Sequence, residues 1–212
     1  MGFENDLATA YSCSDDGLIW TFTIRTDAKF TNGKLVTAHD VAYTINGVAN
    51  NEASECDLTM VDKAVAVDDE TCEVHLNKPF NALLYTLAVI GIVPDGGHDA
   101  DYGSNPVGSG RYMLEQWDRG QQVILKANPD YYGEAPKIER VVVVFMEEDA
   151  SLAAARSGQV DVAFTTARSP TSSQGYDLLN CASVDSRGIS LPTIAPGATK
   201  KQTGEEYPAA TR

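Results

Sequence analysis

The chain has 212 residues, with 30 Asp and Glu against 16 Lys and Arg, a net charge of −14 and a pI of about 4.5. That length suffices for one large domain or two small ones. The acidic balance argues against a nucleic-acid-binding surface and against anchoring on an anionic membrane face. Hydrophobic content of 43% and charged content of 22% are globular values. The longest apolar stretch, residues 83–93, is interrupted by Thr86 and Gly91 and falls short of the ~20 residues a membrane helix needs. No signal peptide is evident, and a chain that runs from Met1-Gly2 straight into strand-like sequence reads as cut from something longer.

Cys13, Cys56, Cys72 and Cys181 contain no CxxC pair, which speaks against a zinc knuckle. A Cys56–Cys72 bridge would close a short loop and stabilise by about 3 kcal/mol in the chain-entropy picture. Free buried thiols are the alternative, and both readings stay open.

In chain order, residues 4–12 read as an approach segment. Asp16-Gly17 signals a turn, and Ile19, Trp20, Phe22 and Ile24, with Thr21 and Thr23 between them, predict a half-buried strand. After the turn at Asn32-Gly33, Thr37 and Asp40 form a capping box in its Asp form. The helix they open runs to about Asn50 and buries Val41, Ile45 and Val48. Residues 60–67 and 72–76 alternate around Asp68-Asp69-Glu70. They predict a hairpin with Val61, Val65 and Val67 on one side and Cys72, Val74 and Leu76 on one face of its partner. Pro79 ends that strand, and residues 81–90 form an apolar helix or turn. A second hairpin is expected over 113–117 and 122–127 around Asp118-Arg119-Gly120. Val141-Val142-Val143-Val144-Phe145 lacks alternation, as in a parallel strand covered on both faces. A helix from Glu147 to Ser157, stopped by Gly158, and a strand over residues 160–164 would complete a βαβ unit with a right-handed crossover. Residues 191–212 read as an extended or mobile tail.

The ordered set Asp16-Gly17, Trp20-Thr21-Phe22, Ile24-Arg25, Asp27, Phe30, Asn32-Gly33 and Thr37-Ala38-His39-Asp40-Val41 resembles the ABC-transporter solute-binding proteins of family 5, the peptide, dipeptide and nickel type. Asn105-Pro106-Val107-Gly108-Ser109-Gly110-Arg111-Tyr112 is similar to that family's Pro-(Val/Ile)-Gly-Thr-Gly-Pro-Tyr block. Asn128-Pro129-Asp130-Tyr131-Tyr132-Gly133 and residues 152–163 match two further blocks in family order. Arg111 departs from the usual Pro, which adds a cation, and Ser109 replaces Thr while keeping a hydroxyl. The resemblance implies a mixed α/β fold of the type II periplasmic-binding-protein kind. Residues 1–108 would form a small accessory domain and residues 109–190 part of the first ligand-binding lobe, a fragment of a two-lobed protein. It also implies an extracytoplasmic monomer, in the periplasm or as a cell-surface lipoprotein anchored outside this chain. Such a protein delivers a di- or oligopeptide, or another small solute such as a nickel chelate, to ABC permease subunits, with no catalysis and no cofactor.

Several residues bear on ligand contact. Gly108-Ser109-Gly110 lacks the GxSxG spacing of a nucleophile turn, so a tight turn that shapes the ligand cleft is the better reading. The Arg111 guanidinium suits a peptide carboxylate, against the plainer reading of a surface ion pair. Thr165, Thr166 and Arg168 follow a strand at its C-terminal end, where open α/β sheets bind ligands, against an ordinary loop. Asp95, His98, Asp99 and Asp101 form an acidic loop without EF-hand spacing, and no metal site is expected. Glu147, Glu148 and Asp149 sit where a helix macrodipole favours acids. Trp20, Trp117, Tyr131 and Tyr132 read as packing residues before ligand-stacking ones. A hydrolase would need a convergent nucleophile–base pair, and none is visible; a stand-alone sensing module of the same fold is the other alternative.

Overall fold

The strand expected around Trp20 is the second of a four-stranded antiparallel sheet, order β1-β2-β4-β3, formed by β1 (Ala8–Cys13), β2 (Ile19–Ile24), β3 (Val61–Ala66) and β4 (Thr71–Leu76). It belongs to a computed structural model that describes residues 4–51, 54, 56–97, 102–164, 177 and 179. The chain divides into two units, Met1–Glu147 and Glu148–Arg212.

Helix α1 (Ala38–Ala49) packs on β3 and β4. Its start is set by Thr37, whose backbone N–H and hydroxyl both donate to the Asp40 carboxylate, at 2.7 and 2.9 Å. Asp40 is buried, and its second oxygen accepts the Asp95 N–H at 2.8 Å, which ties the loop after α2 (Leu83–Leu87) to α1. Asn46 extends the β3 edge: its amide donates to the Ala64 carbonyl and accepts the Ala64 N–H, both at 2.8 Å. The core between helix and sheet is built from Phe22, Ile24, Val41, Ile45, Cys72 and Val74. A smaller cluster of Ala28, Phe30 and Val36 meets Val107 and Tyr132. A second sheet, order β5-β6-β7, is antiparallel throughout: β5 (Tyr112–Asp118), β6 (Gln122–Ala127) and β7 (Arg140–Val144). In the second unit, α3 (Glu148–Arg156) ends at Gly158, whose φ of +74° suits a residue without Cβ.

Five expectations are corrected. Residues 8–13 are not an approach segment but β1, an edge strand paired to β2. In β3, a register shift between Val61 and Lys63 inserts one residue, so Val61 and Ala64 point inward while Val65 is 38% exposed and Val67 58%. The Val141–Val144 run pairs antiparallel with β6 alone, and Val142, Val143 and Val144 are all more than 40% exposed, so its apolar character does not reflect cover on both faces among the described residues. No βαβ unit forms there either: residues 160–164 pair with no strand among the described residues, and Val162 and Phe164 are 86% and 83% exposed. A strand exists only through its ladder, and neither segment has that partner. Finally, Cys56 and Cys72 are free thiols: Cys72 faces the core from β4 with no exposed surface. Cys181 and the tail over 191–212 lie outside the described residues.

Candidate functional site

Two sequence blocks meet at the turn over residues 108–111. The Thr31 N–H donates to the Gly108 carbonyl at 2.8 Å. Asn128, only 4% exposed, holds the other side: its side-chain amide donates to the Gly110 carbonyl at 2.9 Å, its backbone N–H donates to the Arg111 carbonyl at 2.8 Å, and its side-chain oxygen accepts the Asp130 N–H at 3.1 Å. Buried polar groups are kept satisfied in this way, and the turn becomes rigid as a consequence. Arg111 is exposed; its Nε donates to the Tyr131 hydroxyl at 3.4 Å, and its guanidinium lies 5.3 Å from the Tyr131 ring centre. The bond to Tyr131, followed by charge interaction with the same residue, raises the Arg111 pKa and keeps it cationic.

Beside this turn lies a cavity of about 470 Å³. Its floor is apolar, from Phe22 and Ile24 of β2, Val41 and Ile45 of α1, and Leu84 and Leu87 in and around α2. Residues 4–8 and 108–110 form the rest of its wall, together with Tyr132. The Tyr132 hydroxyl donates to Asp6 at 2.9 Å. Burial, and after it the bond to Asp6, drives the Tyr132 pKa up, so the phenol stays protonated and remains a donor. Arg25 covers the Tyr132 ring at 4.0 Å and forms a bidentate pair with Asp27, at 2.6 and 3.0 Å. Asp27 is correspondingly held below the usual carboxylate range, first by its bond to Arg25.

The structure therefore places Ser109 on the cavity wall, with Arg111 next to it but not among the lining residues. Thr165, Thr166 and Arg168 lie outside the described residues, as do His98, Asp99 and Asp101. His39 pairs with Asp69 at 3.5 Å and His75 with Glu73 at 3.0 Å, and neither lines the cavity. Asp6 is a wall residue that sequence reasoning missed. Its segment was read as an approach, and only the Asn-Pro-Asp-Tyr-Tyr-Gly block hinted that Tyr132 had a partner.

The family model for bacterial extracellular solute-binding proteins, family 5 Middle, matches residues 2–190. The probable D,D-dipeptide-binding periplasmic protein DdpA of Escherichia coli is 38% identical over 176 residues, covering 76% of this chain and 33% of that protein. Among solved structures, the binding protein MoaA from A. tumefacien in complex with mannopinic acid superposes with a TM-score of 0.68 at 31% identity, over 74% of this chain and 34% of the other. The oligopeptide-binding protein AppA from Bacillus subtilis in complex with a nonapeptide gives 0.63 at 27% identity, over 73% and 34%. The fold is thus that of periplasmic binding proteins, as expected, and the chain spans about a third of the length of the curated relatives it matches.

Proposed function

Because the chain belongs to the family 5 bacterial extracellular solute-binding proteins, we propose that it is part of an extracytoplasmic binding protein that delivers di- or oligopeptides to an ABC importer. The observation that carries this reading is the family match over residues 2–190. Three of the sequence blocks behind it converge at the wall of one cavity: those around Arg25, Ser109 and Tyr132. Binding is passive: solute is held by hydrogen bonds and a few charges, and closure of two lobes about a hinge encloses it. Residues 1–108 serve as an accessory domain and residues 109–190 as part of the first lobe. Ser109 and Arg111 contact solute, Arg111 pairing with an anionic group, and Thr165, Thr166 and Arg168 add contacts from the same lobe. The protein works as a monomer beside permease subunits, in the periplasm or held by a lipid anchor.

Titration calorimetry with a mixture of di- and tripeptides tests the reading, with saturable heat expected. Silence toward all peptides sinks peptide binding. Arg111→Ala is expected to weaken binding, and unchanged affinity discards its role. A second reading, a non-peptide solute, is favoured by one observation: MoaA, 31% identical to this chain, was solved with mannopinic acid. Heat from such an acidic sugar conjugate, without heat from peptides, selects it.

A further inference from the structure

We propose that the cavity beside the 108–110 turn is itself a binding site for an ammonium group carried on an apolar body. This assignment rests on the solute-binding reading and adds a ligand chemistry to it. Three properties of the cavity carry it.

The first is size and floor. About 470 Å³ falls within the range of small-molecule sites, and the floor from Phe22, Val41, Ile45, Leu84 and Leu87 offers an aliphatic or aromatic group a dry surface.

The second is charge. The charged residues lining the cavity are Glu4 and Asp6, both acidic. The nearest cation, Arg25, is committed elsewhere: Asp27 takes its Nε and Nη2 at 2.6 and 3.0 Å, and its Nη1 approaches only the backbone carbonyl of Asp6, at 3.5 Å. Asp6 therefore keeps its negative charge, with one neutral donor, the Tyr132 hydroxyl, on Oδ1 at 2.9 Å. A carboxylate held in place beside an apolar floor complements an ammonium group and repels an anion.

The third is the 108–110 turn. Gly108 and Gly110 have their carbonyls bonded to Thr31 and Asn128, whereas the Ser109 hydroxyl and the N–H groups of Ser109 and Gly110 take no partner among the described residues. Such donors suit a carbonyl adjacent to the ammonium-bearing carbon. The amino-terminal residue of a peptide and a free aliphatic amine share the ammonium-on-apolar chemistry, and only the first also brings the carbonyl.

Calorimetry on the full chain separates these cases with three probes: the dipeptide Leu-Ala, N-acetyl-Leu-Ala and 3-methylbutylamine. Loss of a charge-assisted hydrogen bond weakens binding roughly tenfold or more, so Leu-Ala is expected to bind about that much tighter than its acetylated form. Asp6→Asn keeps the oxygen that accepts from Tyr132 and is expected to erase most of the difference, leaving the acetylated peptide unchanged. Glu4→Gln, at an exposed position, narrows the difference without touching the fold. The amine binding with the same Asp6 dependence shows that the ammonium and the apolar body suffice; the amine giving no heat assigns the site to peptides. Equal affinity for both dipeptides, or Asp6→Asn weakening both alike, overturns the proposal while peptide binding itself stands. No heat from any probe overturns it, and the peptide mixture then decides the broader reading separately. Self-association of the chain that abolishes Leu-Ala binding also overturns it, because a second copy would then occupy the floor.

Discussion

The guanidinium of Arg25 lies 4.0 Å from the ring centre of Tyr132, so the end of β2 and the turn before β7 share one stack. Tyr131 extends it, its ring centre 4.5 Å from that of Tyr132, and Arg111 closes the far side at 5.3 Å from Tyr131. Two cations and two aromatic rings thus alternate along one edge of the cavity, and the Asp6 carboxylate fixes the central ring through its hydroxyl. Removing any one member loosens its neighbours, because each is held mainly by the next.

Tyr132 separates the two kinds of support. Tyr132→Phe keeps the stack and loses the bond to Asp6, a cost of about 1 kcal/mol. Tyr132→Leu also loses the cation–π and ring–ring contacts, a further loss of about 1 kcal/mol or more. Urea unfolding midpoints of the two variants measure the difference. Equal midpoints would show that the Arg25 stack contributes nothing.

Asn128 is the more sensitive position. Asn128→Ala leaves the Gly110 carbonyl and the Asp130 N–H without their protein partner, and a loss of about 1–2 kcal/mol follows. Asn128→Asp preserves the acceptor for Asp130 but turns a carboxylate oxygen toward the Gly110 carbonyl in a buried place. It is therefore expected to be no better than alanine. Denaturation of both variants checks this, and an Asp variant of wild-type stability would show that the donor to Gly110 is dispensable.

Much of this was legible beforehand, because local chemistry decided it. The turns at Gly17, Gly33 and Gly120 have φ between +72° and +84°, as their Asp-Gly, Asn-Gly and Arg-Gly contexts suggested. The Thr37–Asp40 box starts α1 where the spacing placed it, and Cys72, Val74 and Leu76 all face the core. What escaped were relations between distant segments. The bulge in β3 leaves no mark on the residues themselves, yet it turns Val65 outward. An apolar run such as Val141–Val144 reports hydrophobicity and is silent on which strand pairs with it. At the site, Ser109 was found through its glycine neighbours. Asp6 was not, since a lone acid before a strand carries no signal until Tyr132 arrives beside it.

Cys72 links burial to pH. Burial pushes its thiol up to about 11, with a smaller contribution from the charge of Glu73. In the unfolded chain a thiol ionises near 8.5. The unfolded state thus loses its proton first as pH rises. The stabilising contribution is complete below about pH 8.5 and fades toward about pH 11. At about pH 8, Ellman's reagent is expected to modify exposed Cys13 quickly and Cys72 only on unfolding, as peptide mapping by mass spectrometry would show. Modification of Cys72 in the native chain at the rate of Cys13 would refute its protection.

The free edge of β7 exposes the chain to association. Val142, Val143, Val144, Phe145 and Met146 are between 40% and 47% exposed, and β6 pairs with only one side of the strand. Such an edge offers unpaired backbone groups and apolar surface together, the combination that templates strand addition. Val143→Lys places a charge on that surface and is expected to suppress concentration-dependent light scattering of the 212-residue chain. The same change removes little buried area, so the unfolding free energy is expected to move by no more than about 0.5 kcal/mol. A large loss of stability would mean that Val143 is packed in solution, and unchanged scattering would place the association surface elsewhere.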